Sequence, residues 1–184
     1  MNQPTTHRIP TQRIKVSKYF YLDEFIDPHT YVNHPDNGLS LIDKRLFKIA
    51  DLLRELKGTP GIINTWWNYY IGKINNNDIN TVIFNIEKNN SIRKWSGYRS
   101  SRCLIGAKNS AHKQGKAFDM VGSGKELFKI IENNAERFYK LGVRRLEDPK
   151  ITSTWLHLDT LERNTEPNSI RVVDKTKATK IIRW

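Results

Sequence analysis

The stretch "SAHKQGKAFDMVG" (110–122) places His112 and Asp119 seven residues apart, and "TWLHLDT" (154–160) sets His157 inside an otherwise apolar run. Histidine and carboxylate are ligand types for a catalytic zinc, which takes three protein donors and keeps a fourth position open to water. His112 lies at a loop edge and Asp119 in a strand, so they converge only if the chain turns back between them. Gly115 is where such a turn is sterically free. Asp119 interrupts the apolar run "AFDMV", where an unpaired carboxylate is costly and a cation would satisfy it. In "TWLHLDT" the two-residue alternation puts Trp155, His157 and Asp159 on one strand face and Leu156 and Leu158 on the other. Such a polar face suits the wall of a cleft. The same residues also read as two surface polars and a hydrogen-bonded core histidine, and spacing alone leaves both readings open.

The elements that must position these residues follow from patterning. Residues 1–17 are polar and aperiodic and predict an N-terminal arm, with 18–184 a single domain. "YFYLDEFID" (19–27) predicts a short strand or turn entering a helical turn, and 28–38 a loop. Ile42, Leu46, Ile49, Leu53 and Leu56 make one helical face, with Ser40 as N-cap and Gly58 and Pro60 as the stop. "GIINTWW" (61–67) predicts a strand, and 72–94 an insertion holding a hairpin or short helix. "WSGYRSS" (95–101) predicts strand then loop, and "KAFDMVG" (116–122) a strand. A helix over 124–141 presents Leu127, Ile130, Ile131, Phe138 and Leu141 and ends at Gly142. "VRRLED" and "TWLHLDT" predict two short strands, and "IRVVD" and "KIIRW" two terminal ones. This order predicts an α+β fold, a small, mostly antiparallel sheet with helices packed on one side.

Composition narrows the partners. At 184 residues with 38% hydrophobic content, the chain can bury a core without disulfide support. Cys103 is the only cysteine, so any metal must be held by His, Asp or Glu. The first twenty residues carry no apolar signal-peptide core, and no stretch approaches the roughly eighteen apolar residues of a membrane span. The expectation is a chain made in a cytoplasm, with no membrane partner. A net charge of +12 calls for an anionic partner: nucleic acid, anionic membrane or cell-wall polymer. The basic residues are scattered and form no nucleic-acid motif, which argues against nucleic acid. Trp66, Trp67 and Tyr69 are expected to fill the core or line a cleft rather than stack bases.

The string Ser110-Ala-His112-x-x-Gly115-x-Ala117-x-Asp119, followed by Trp155-x-His157-x-Asp159, resembles the signature of the zinc peptidases that include D-alanyl-D-alanine carboxypeptidases, dipeptidases and phage endolysins. That group shares a fold with the Hedgehog signalling domain. "SGYRS" (96–100), "GAKNSAH" (106–112) and "YLDEF" extend the likeness over about residues 18–160, with 72–94 as an addition. The resemblance implies a zinc ion (Zn2+) on His112, Asp119 and His157, and an oxyanion-stabilising role for Arg99. It implies that Ser110 braces the loop and that Asp159 orients His157 or serves as a fallback base. Members of the group commonly carry a base three residues before the last histidine; here that residue is Thr154, which cannot deprotonate water at neutral pH. Glu147 in "VRRLE" is the first choice of base, since that strand can lie beside "TWLHLD".

The function implied is a zinc-dependent peptidase cleaving peptidoglycan stem peptides, a phage or prophage endolysin with the anionic cell wall as partner. It would reach the wall by holin release or as a virion component. The alternative is a virion structural or assembly protein that keeps the zinc-binding fold with weak or no activity, and has other virion proteins as partners.

Overall fold

The computed structural model of the chain describes residues 11–74, 78–162, 166–174 and 177–184. It is an α+β protein. Six α-helices accompany the sheet among these residues: α1 (Pro28–Asn33), α2 (Arg45–Lys57), α3 (Trp66–Lys73), α4 (Ile79–Lys88), α5 (Gly124–Asn133) and α6 (Ala135–Leu141). The strands are β1 (Ala117–Val121), β2 (Arg145–Glu147), β3 (Trp155–Asp159), β4 (Ser169–Asp174) and β5 (Lys177–Arg183), in spatial order β1-β3-β2-β4-β5. Every pairing is antiparallel except β2 with β4.

The alternation expected for β1 and β3 sets the sheet's two faces. Phe118, Met120, Leu146, Leu156, Leu158, Ile170 and Val172 are buried in the core, where α5 packs on β3 and α6 on β4 and β5. The opposite face carries Asp119, His157, Arg145 and Asp159. The pairings Asp119↔His157 and Arg145↔Asp159 place these side chains in adjacent rows. Sheet register alone therefore joins sequence-distant polar residues.

Several elements differ from the sequence expectation for identifiable reasons. The 28–38 segment contains α1, with Asp27 capping Thr30 N at 3.0 Å and Pro28 at the first helical position. "GIINTWW" is not a strand. Ile62 makes a single bridge to Val121, and the chain then enters α3. Trp66 and Trp67 close over Tyr31 and Tyr70 packs on both tryptophans, with ring centroids 5.4–5.9 Å apart in edge or tilted contacts. That burial outweighs the strand preference of the tryptophans. Trp66 and Trp67 thus belong to the core, with Tyr69 partly buried against it.

"WSGYRSS" also forms no strand. Gly97 presses so closely on Phe25 that a Cβ would stand 2.1 Å from its carbonyl oxygen, which bends the segment away from a ladder. Ser40 does not cap α2; that helix starts at Arg45, because Asp43 N is drawn to Gly115 O at 2.9 Å. Gly58 ends α2 with φ +73°, as expected. The helix expected over 124–141 divides at Asn134, whose side chain donates to Ile130 O at 2.9 Å and competes with the helical ladder. The 72–94 segment, expected to hold a hairpin or short helix, contains α4, capped by Asp78.

Residues 1–10 of the expected arm lie outside the described residues. Its later part is docked: Arg13 pairs with Asp23 at 2.7 Å, and Ile14 and Val16 pack on the core.

Candidate metal centre

The turn between His112 and Asp119 is built by Gly115. Its φ is +65°, and a Cβ there would stand 1.7 Å from Leu41 O, so only glycine fits under that backbone. The turn is closed by Gly115 N donating to His112 O at 3.1 Å and Lys116 N to Ala111 O at 2.9 Å. Ser110 Oγ accepts from Lys113 N at 3.4 Å, a brace at the start of this turn. β1 then carries Asp119 back opposite His157.

Three donor atoms meet as a result. Nε2 of His112 lies 3.1 Å from Nδ1 of His157 and 3.2 Å from Oδ1 of Asp119, and the last two atoms are 2.7 Å apart. A tetrahedral zinc with bonds of about 2.0–2.1 Å needs its ligands about 3.3 Å apart, so this triangle is close to the size of one coordination face. Both histidines are buried, and the three residues form a set able to hold a metal ion.

Neighbouring groups aim these donors. Nδ1 of His112 donates to Gly97 O at 2.7 Å, which leaves Nε2 as the lone-pair nitrogen. Nε2 of His157 faces Asp159 Oδ2 at 3.7 Å, turning Nδ1 toward the cluster. Asp159 is wholly buried and is itself gripped by Arg145 through Nε at 2.6 Å and Nη2 at 2.5 Å. The second oxygen of Asp119 accepts from Arg99 Nη2 at 2.8 Å, while Arg99 Nε donates to Trp95 O at 2.5 Å. Arg99 therefore holds a ligand carboxylate rather than standing free in the site.

The electrostatics follow from this packing. Burial opposes an ionised Asp119, but the two histidines outweigh it and hold the carboxyl well below its usual range. Burial pushes His112 below the ordinary imidazole value, against the pull of Asp119. Burial also opposes a charged His157, yet Asp119 and Asp159, with the charge of Glu147, push it up to about 10. Without metal the cluster thus keeps a proton on His157, and a cation binding there must displace it.

Glu147 ends β2. The pairs Arg145↔Asp159 and Leu146↔Leu158 continue to place it across from His157, on the face that bears the donor cluster. It is half-buried and makes no side-chain hydrogen bond or ion pair among the described residues. Thr154 is exposed before β3 begins and contributes its carbonyl to Gly122 N at 3.1 Å. Sequence reasoning missed two supports, the Gly97 carbonyl and Arg145. The second had a signal: alternation in "VRRLE" puts Arg145 and Glu147 on one face.

A cleft of about 510 Å³ opens beside the cluster, lined by Asp119, Arg99, Trp95 and Ser96 and by Glu87 and Lys88 at the end of α4. Comparison of the chain with protein-family models, with curated proteins and with solved structures finds no match. No helix among the described residues is long and apolar enough to cross a membrane.

Proposed function

We propose that the chain is a zinc-dependent peptidase of peptidoglycan stem peptides, of the endolysin type, with the Hedgehog-like fold that its motifs resemble. The observation that carries this reading is the convergence of three donors, two of them on buried histidines, on one point, each aimed by a second residue and with Asp119 at the wall of a cleft. A structural histidine pair has no need of a carboxylate in the same triangle, nor of a buried Asp159 held by Arg145 behind it.

Bound on His112, Asp119 and His157, zinc would supply a Lewis acid and a water made acidic enough to attack an amide near neutral pH. The chain's own residues do the rest. Glu147 is the proton acceptor in this reading, since it is an uncommitted carboxylate on the cluster's sheet face, and Asp159 keeps His157 in the ligating orientation. Arg99 fixes Asp119 while its guanidinium lines the cleft, so its charge also lies on the side from which a peptide carbonyl approaches. The net charge of +12 favours an anionic wall.

Zinc content and turbidity loss on purified cell walls, measured for wild type and His112→Ala, test the reading. One zinc per chain with lysis, both lost in the variant, is the expected result. Zinc without lysis, which the threonine at position 154 would explain, favours a virion structural or assembly protein. Absence of both ends the enzyme reading.

A further inference from the structure

The cleft beside the cluster has an uneven charge inventory. Its acids are already engaged: Asp119 by Arg99 at 2.8 Å, and Glu87 by Arg102 through Nε at 3.0 Å and Nη2 at 2.9 Å. Its remaining cations, Lys88, Arg93 and Lys94, have no carboxylate within ion-pair distance among the described residues. Lys94 is the unusual one. It is only 6% exposed, and among the described residues its ammonium makes a single hydrogen bond, to Asn89 O at 2.6 Å. Two of its three N–H donors are thus unspent in a cleft wall, where burial already holds its pKa below the usual lysine value. The charge of Glu87 pulls the other way, but that carboxylate is spent on Arg102, and a buried ammonium with no carboxylate in hydrogen-bond contact costs stability unless a ligand supplies one.

We propose that Lys94 is the carboxylate-binding residue of this cleft, receiving an acidic group of a peptide that lies along α4 and reaches the His112–Asp119–His157 cluster. The assignment rests on the peptidase reading for the occupant's class. Continuity with Asp119 and Arg99 makes the occupant the molecule that reaches the cluster, and a volume of about 510 Å³ suits a short peptide. Leu104 and Ile105, 94% and 57% exposed, form an apolar lip for its small side chains. α4 and the segment after it supply Lys88, Arg93 and Lys94, so the 72–94 insertion becomes the recognition element of the fold.

The test is binding rather than cleavage. A synthetic stem pentapeptide with free carboxylates, and the same peptide fully amidated, are titrated calorimetrically into the full chain, both zinc-loaded and after chelation. The expected result is at least tenfold tighter binding of the acid form in both states, with the preference erased in Lys94→Met and largely kept in Lys94→Arg. Thermal melting and zinc content confirm that each variant is folded. Equal binding of the two peptides to wild type, or a preference that survives Lys94→Met, overturns the proposal. Because hydrolysis is not read, an uncut peptide leaves the Lys94 result standing, whereas lost discrimination with intact lysis sinks only the Lys94 assignment.

Discussion

Buried Asp159 and half-buried Arg145 form a pair, Nε to Oδ2 at 2.6 Å, whose carboxylate stands behind the ring of His157. The strand pairing that joins them also sets His157 opposite Asp119, so one register fixes the ligand and its support together. Asp159→Asn keeps the shape and removes the charge that orients the ring. Zinc affinity, read by chelator competition, is expected to fall roughly 10–100-fold. Unchanged affinity would remove Asp159 from the site.

Glu147 lies on the cluster's sheet face with no hydrogen-bond or ion-pair partner among the described residues. Glu147→Gln should lower kcat on cell-wall fragments about 10²–10⁴-fold while zinc content and KM hold. Full activity would exclude it as the proton acceptor.

Gly115 lets the turn pass beneath Leu41. Gly115→Ala combines a left-handed φ with backbone overlap, and is expected to destabilise the fold by at least about 1–3 kcal/mol. The displaced turn should also weaken metal binding. Both are readable as a lower Tm and a weaker zinc titration; a variant that melts and binds like wild type contradicts the clamp.

Glu24 gives a pH signature remote from the metal. Burial, aided by the charge of Asp23, pushes it from 4.5 up to about 7, against Tyr21 N–H and Arg13. The folded state therefore binds this proton more tightly than the unfolded one. Its contribution is full below about 4.5 and is lost as pH rises through about 7. Glu24→Gln retains the acceptor for Tyr21 N and removes the titration. Its Tm in chelator should gain on wild type between pH 5 and pH 8, and a constant difference would refute the assignment.

Much of the site was legible in the sequence because it breaks local patterns. Asp119 stands out in "AFDMV", His157 and Asp159 share a face by alternation, and a glycine was required between His112 and Asp119. α1 and α3 were not legible. Proline and asparagine mark loops as readily as a capped turn, and the helical spacing of Trp66, Trp67 and Tyr70 is outweighed locally by strand-forming types. Arg99 on Asp119, and Lys94 in the cleft wall, depend on loops whose course is set by tertiary contacts such as Gly97 against Phe25, and no local pattern encodes those.

The central claim is that His112, Asp119 and His157 are one metal site. A crystal of the full chain grown with zinc, measured at the zinc absorption edge, tests it most directly. The account expects a single strong anomalous peak bonded to Nε2 of His112, Oδ1 of Asp119 and Nδ1 of His157. No peak there, with the two rings joined only to Asp119 by hydrogen bonds, would contradict it.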